Sequence, residues 1–116
     1  MIPPNSISSH VLDIANGRPG VGVRAVGYIL ECDNTWKVIG NTTTDRNGRI
    51  DTIHPGVPLE AGVYKIHFDT KQYFAKSNQE TFYPFIEVPF EIKDASQHYH
   101  VPITLSNYGY STYKGQ

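Results

Sequence analysis

QHYHVPITLSNYGYSTYKGQ, residues 97–116, closes the chain and decides how the rest is read. Taken with period two, it separates into two faces. Tyr99, Val101, Ile103 and Leu105 fall on one side, and His98, His100, Pro102, Thr104 and Ser106 on the other. The first is an apolar core face, and the second carries two imidazoles two residues apart. Asn107-Tyr108-Gly109 supplies a turn, after which Tyr110 to Lys114 is extended and returns on the first run as a hairpin. A strand with an apolar inner face and a histidine-bearing outer face is a platform for a site.

Composition agrees with a strand-built domain. The 116 residues suit one domain with a single core, and ten Gly and eight Pro are spread through short apolar runs. Val, Ile, Tyr, Thr and Phe outweigh Leu, which favours strands over helices. A formal net charge of −1 without a basic cluster argues against a nucleic-acid surface. Cys32 is the single cysteine, so neither an internal disulfide nor a cysteine metal site can form. No run reaches the ~18 apolar residues of a membrane span. The opening MIPPNSISSH lacks the basic start and apolar centre of a secretory signal, so a cytoplasmic protein is expected. For a eukaryotic source a peroxisome is the alternative, although no Ser-Lys-Leu ending is present.

Outward from the closing stretch, turn signals cut the chain into short extended runs. Residues 1–6, with two prolines, read as a mobile entry to a domain over 7–116. Strands are expected over Ile7 to Ile14, Val21 to Glu31, Trp36 to Thr43, Arg49 to Ile53, Gly62 to Asp69 and Phe85 to Lys93. Alternation leaves open which side of the first strand His10 faces. Asn47-Gly48 is the pair that most readily takes positive φ, so Asp45 to Arg49 reads as a tight turn. Pro89 marks its strand as an edge or a bulge. Lys71 to Asn78 is the one helix, with Asp69-Thr70 as caps. Together these runs predict an all-β, two-sheet sandwich with one short helix.

The candidate chemistry rests on His10, Arg49, His98, His100 and the ending Tyr113-Lys114-Gly115-Gln116. Each has an ordinary structural explanation: a lone strand histidine is usually hydrogen-bonded or solvated, and an arginine after a turn is usually surface charge. His-x-His on one face with a third imidazole from His10 is also a weak zinc pattern. No phosphate-binding glycine loop or Gly-x-Ser-x-Gly elbow is present. Ser106 and Ser111 lie near the histidines in sequence, but a serine nucleophile needs a base within reach. The simpler chemistry is a water molecule activated by a neutral imidazole.

Six segments, SSHVLDIANGRPG (8–20), TDRNGRI (44–50), GVYKIHFDTKQYF (62–74), FYP (82–84), HYHVPITLS (98–106) and GYSTYKGQ (109–116), occur in one order and at one set of spacings. In them the chain resembles the transthyretin-related 5-hydroxyisourate hydrolases over nearly its whole length beyond residue 6. The resemblance implies a transthyretin-like sandwich of two four-stranded sheets, assembled as a homotetramer of two dimers around a channel. It implies ring-opening hydrolysis of 5-hydroxyisourate in urate breakdown, without metal or other cofactor. His10, Arg49 and His100 carry over as catalytic residues, and Tyr113, in the closing tetrapeptide, as lining the same site; beside them Gln116, Ser111 and His98 are expected at the substrate, His98 in a supporting role at most. In this scheme the two histidines share water activation and proton delivery, and Arg49 clamps the substrate and the developing oxyanion.

Two departures stand out. The family usually ends Tyr-Arg-Gly-Ser, where this chain has Lys114 and Gln116, and Phe85 stands where a Glu is common. Two competing functions remain beside the hydrolase: a non-catalytic small-ligand carrier of the same fold, and a zinc hydrolase on His10, His98 and His100.

Overall fold

A computed structural model of the chain describes residues 5–116. Ten strands and one helix follow in order: β1 (Ile7–Asp13), β2 (Arg18–Pro19), β3 (Arg24–Leu30), β4 (Trp36–Thr43), β5 (Arg49–Ile50), β6 (Gly62–Phe68), α1 (Thr70–Ala75), β7 (Ile86–Ile92), β8 (Tyr99–His100), β9 (Ile103–Leu105) and β10 (Tyr110–Thr112). One sheet runs β4-β3-β6-β7 and is antiparallel throughout. The other is built on β1. On one side β1 pairs in parallel with β8 and β9, and β10 folds back on β9. On its other side β1 pairs antiparallel with β2 and β5.

The second sheet has six strands rather than the four expected, for local reasons. β8 and β9 are one extended run broken at Val101-Pro102, since Pro102 has no N–H to give to a ladder. β2 and β5 are two-residue pieces lying end to end along β1. The expected strand 49–53 stops at Ile50, and the chain bends so that Ile53 N–H reaches the Ile7 carbonyl at 2.9 Å. The strand expected from Val21 begins at Arg24. Gly22 takes positive φ (77°), and Val23 N–H bonds to the Thr44 hydroxyl instead of a ladder partner. The helix covers Thr70–Ala75, shorter than the expected 71–78, with the Asp69 carboxylate capping Gln72 N–H. Asn78 then takes positive φ and ends the turn. Pro89 sits on β7, the last strand of its sheet, where its missing donor breaks no ladder on the outer side.

The core lies between the sheets. Val11, Ile103 and Leu105 of one sheet and Tyr64, Ile66 and Phe68 of the other are buried in one cluster with Ile53 and Phe74. Fully burying each such side chain is worth about 1.5–3 kcal/mol. Because β1 alternates, burial of Ile7, Val11 and Asp13 toward the interior turns His10 and Leu12 outward. Asp13 is buried and takes a 2.5 Å hydrogen bond from the Tyr73 hydroxyl, tying α1 to β1. Burial alone would raise Asp13, but bonds from Tyr73 and Asn16 outweigh it and hold the carboxyl below its ordinary value. The same burial and the anion beside it push Tyr73 up to about 12.

Of the expected mobile entry, residues 1–4 lie outside the described residues, and Ser6 is buried. Among the described residues no helix is long and apolar enough to cross a membrane.

Candidate active site

The site grows from the outward face of the β1 sheet. Period two places Ser6, Ser8 and His10 on that face of the first strand, and His98, His100 and Thr104 on that of the β8–β9 run. Register joins them: Ser8 lies opposite His100, His10 opposite Arg49, and Leu12 opposite Thr104. Segments far apart in sequence thereby bring His10, Arg49 and His100 onto one surface.

Arg49 is placed by its turn. Gly48 has φ +76°, and a methyl there would meet the Val11 carbonyl at 2.5 Å, so this position needs glycine on both counts. The gap that a side chain would fill lets Val11 N–H donate to the Gly48 carbonyl at 2.7 Å, which locks the turn onto β1. The Asp45 carboxylate closes the turn by accepting from Asn47 N–H (2.8 Å) and Arg49 N–H (3.0 Å). Those backbone donors hold Asp45 below the usual carboxylate range.

The same turn orients His10, whose Nε2 lies 3.1 Å from the Asn47 carbonyl. A carbonyl only accepts, so Nε2 carries the proton and Nδ1 keeps its lone pair. Partial burial and the Arg49 charge lower the His10 pKa, against the opposing effects of the Asn47 bond and Asp45. His100 is lowered too, by burial first, then by Arg49, His10 and His98. Burial first and the Arg49 charge second thus both favour the neutral imidazoles, the state in which each can accept a proton.

His100 is gripped on two edges. Its Nδ1 lies 2.7 Å from the Ser8 hydroxyl. Its Cδ2 edge packs on the tail, where Gly115 N–H donates to the His100 carbonyl at 2.8 Å and a methyl on Gly115 would come within 2.6 Å of Cδ2. Nε2, bonded to Cδ2, has no hydrogen-bond partner among the described residues. His98 is fully engaged, Nδ1 with the Ser6 hydroxyl (3.2 Å) and Nε2 with that of Ser8 (3.0 Å). Ser8 is thus the group that sequence reasoning missed. The signal was present, because stepping back by two from His10 gives Ser8 and Ser6.

The remaining expected residues scatter more widely. Tyr113 is exposed and lines, with Lys114, His100 and Tyr99, a crevice of about 230 Å³ against β7. His10 and Arg49 open on a second hollow of about 560 Å³ that also includes Leu12, Arg18 and Asn47. Ser111 pairs its hydroxyl with Thr104 at 2.6 Å on β10, two strands over from β1. Gln116 is exposed just past the Gly115–His100 bridge. Phe85 stacks on His67 with ring centroids 4.8 Å apart, beside the other sheet and away from these histidines. Among the described residues no group of three or more His, Cys, Asp or Glu is arranged to hold a metal ion.

The description "HIUase/Transthyretin family" matches residues 7–115. The chain belongs to that family. It is 49% identical to a probable 5-hydroxyisourate hydrolase of Caenorhabditis elegans, an alignment covering 98% of this chain and 84% of the relative. It is 36% identical to the 5-hydroxyisourate hydrolase of Mus musculus, covering 94% and 93%. Among solved structures, the Klebsiella pneumoniae 5-hydroxyisourate hydrolase superposes with a TM-score of 0.84 at 32% identity, covering 96% of this chain and 99% of that one. Transthyretin from Sparus aurata superposes with a TM-score of 0.87 at 28% identity, covering 94% and 95%. Shape alone therefore does not separate the two kinds of relative. Sequence relatives at 36–49% identity are named 5-hydroxyisourate hydrolases or probable ones, and this protein is a hydrolase.

Proposed function

We propose that the protein hydrolyses 5-hydroxyisourate, opening its ring to 2-oxo-4-hydroxy-4-carboxy-5-ureidoimidazoline in urate degradation. The observation that carries this is the convergence of His10, Arg49 and His100 on one sheet face, with both imidazoles lowered by burial and then by the Arg49 charge. Opening a cyclic amide needs a deprotonated water, a positive group at the carbonyl oxygen that becomes an anion, and a proton for the departing nitrogen. A neutral His100 takes the water proton at Nε2, and the neutral His10, oriented by Asn47 and lying on β1 between the strands of Arg49 and His100, shares that duty. Arg49 keeps its charge at any working pH and offers forked N–H donors to the developing oxyanion. Acid–base assistance of this kind contributes ~10²–10⁴-fold.

His10 and Arg49 border one hollow and His100 the other, so the substrate spans the ridge between them. We propose that the chain works as a homotetramer of two dimers, with the face bearing His10, Arg49 and His100 turned toward a central channel and Tyr113 to Gln116 walling it. The unpaired β7 edge suits the dimer contact. Product analysis tests the reaction: enzyme mixed with freshly made 5-hydroxyisourate should yield the ring-opened ureidoimidazoline before any further product, and unchanged kinetics after exhaustive chelation would fit the imidazole scheme. Recovery of intact bound ligand with no turnover would instead identify a carrier.

A further inference from the structure

We propose that Ser8 and His98 are positioning residues that act through His100, joined as a hydrogen-bonded relay Ser6–His98–Ser8–His100 that sets the His100 tautomer and receives its charge. This rests on the assignment of His100 as a base in the hydrolysis.

Four side chains stand in sequence along one face: Ser6 Oγ to His98 Nδ1 at 3.2 Å, His98 Nε2 to Ser8 Oγ at 3.0 Å, and Ser8 Oγ to His100 Nδ1 at 2.7 Å. Ser8 is 1% exposed and Ser6 2%, although both point to the sheet's outer face. The two imidazoles cover them, so the inner links of the relay are screened from solvent.

A hydroxyl has one proton to give. When Ser8 donates to one ring and accepts from the other, only two arrangements exist. In the first, Ser8 donates to His100 Nδ1, and both rings carry their proton on Nε2. In the second, His100 Nδ1–H donates to Ser8, Ser8 donates to His98 Nε2, and His98 Nδ1–H donates to Ser6. Only the second leaves a lone pair on His100 Nε2, the ring nitrogen that Ser8 does not hold. The relay therefore ties the tautomer of His98 to that of His100.

It also gives the acquired charge somewhere to go. Water gives its proton to His100 Nε2 as its oxygen bonds to the substrate carbonyl carbon. The Nδ1 proton of His100 passes to Ser8 Oγ while the hydroxyl proton passes to His98 Nε2. His100 ends neutral, Ser8 is unchanged, and His98 carries the single positive charge. Reversal returns a proton to His100 for the departing nitrogen. Arg49 and His10, on β5 and β1, both oppose an imidazolium at His100. Glu91 and Lys114 border His100 on the crevice side and offset one another in sign. His98 lies two strand residues further from Arg49, roughly 6–7 Å along the sheet, so the charge is better tolerated there.

The test is ¹⁵N imidazole NMR on the free protein above neutral pH, paired with rate–pH profiles. Wild type should show both rings as the Nδ1–H tautomer. Ser8→Ala should uncouple them, lower kcat about tenfold with KM little changed, the effect of losing one orienting hydrogen bond, and move the acid limb of kcat/KM to lower pH. His98→Gln, at a half-buried position, should shift the limb the same way and guards against misfolding of the Ser8 variant. Opposite tautomers in wild type, His100 protonated on Nε2, or a rate loss in Ser8→Ala with an unmoved pH profile would each overturn the relay. Because the tautomers are read without substrate, absence of turnover would contradict the hydrolase assignment and leave this result standing.

Discussion

Replacing Gly115 by Ala should disable the enzyme from a position that bears no reactive group. The His100 ring is pinned between Ser8 at Nδ1 (2.7 Å) and the Gly115 backbone at its Cδ2 edge. A methyl on residue 115 would lie 2.6 Å from the ring carbon Cδ2 and 3.2 Å from both Cβ and Cγ of His100. Carbon atoms rest about 3.5–4.0 Å apart, so ring and tail must separate by about 1 Å. If the ring yields, it leaves the Ser8 hydroxyl; if the tail yields, Tyr113 and Gln116 lift with it. A displacement of about 1 Å at a reacting group costs ~10²-fold in rate, or about 2.7 kcal/mol on the barrier. Stability should barely change, within about 0.5 kcal/mol, because the tail is outside the core and free to shift. The assay is kcat/KM on freshly generated substrate beside a thermal melt of the same sample. A Gly115→Ala variant with full activity and an unchanged melt would show that the tail does not hold His100.

Other expectations follow from the same geometry. His10→Ala, Arg49→Ala and His100→Ala should each lower turnover at least ~10²-fold while leaving the circular dichroism spectrum intact. The acid limb of kcat/KM should lie below the ordinary histidine value of ~6.5, because His10 and His100 are both lowered, and Arg49→Gln should move it upward by removing the opposing charge. Tyr73→Phe should cost about 1.5–3 kcal/mol of stability by taking a donor from a buried carboxylate. Asp13 is held below its unfolded value, so its stabilisation is complete above ~pH 4 and lost as pH falls through the folded value; acid melts of the Tyr73→Phe variant should show less of that loss. A C-terminal tag, or deletion of residues 113–116, should suppress activity more than a tag before Met1, as measured by assay and sizing.

The closing stretch of sequence was informative because its period is simple. Val101, Ile103 and Leu105 are buried and His98, His100 and Thr104 are not, as alternation requires, but Pro102, which the same alternation assigns to the outer face, is buried too. The Asn47-Gly48 pair announced its turn for the same reason, since few residue pairs accept that backbone. His10 was ambiguous until β1 was seen to bury Ile7, Val11 and Asp13. Strand limits were less legible where tertiary partners decide them. Val23 has strand-forming chemistry, but the Thr44 hydroxyl takes its N–H. Pro102 is visible in the sequence as a break, yet only the parallel partner β1 shows that β8 and β9 continue one another across it. Ser8 was hidden because serine is common on outward faces; its importance appears only when two rings from the far end of the chain close over it.

Arg49 and the two histidines acting together are the centre of this account, and one kinetic comparison addresses them directly. 5-Hydroxyisourate is generated in place, and its decay is followed with wild type, with Arg49→Ala and with buffer alone. Wild type should consume the substrate far faster than buffer, and the Arg49→Ala variant should retain no more than about a hundredth of that rate. Decay at the buffer rate in the presence of wild type, or full activity without Arg49, would contradict it.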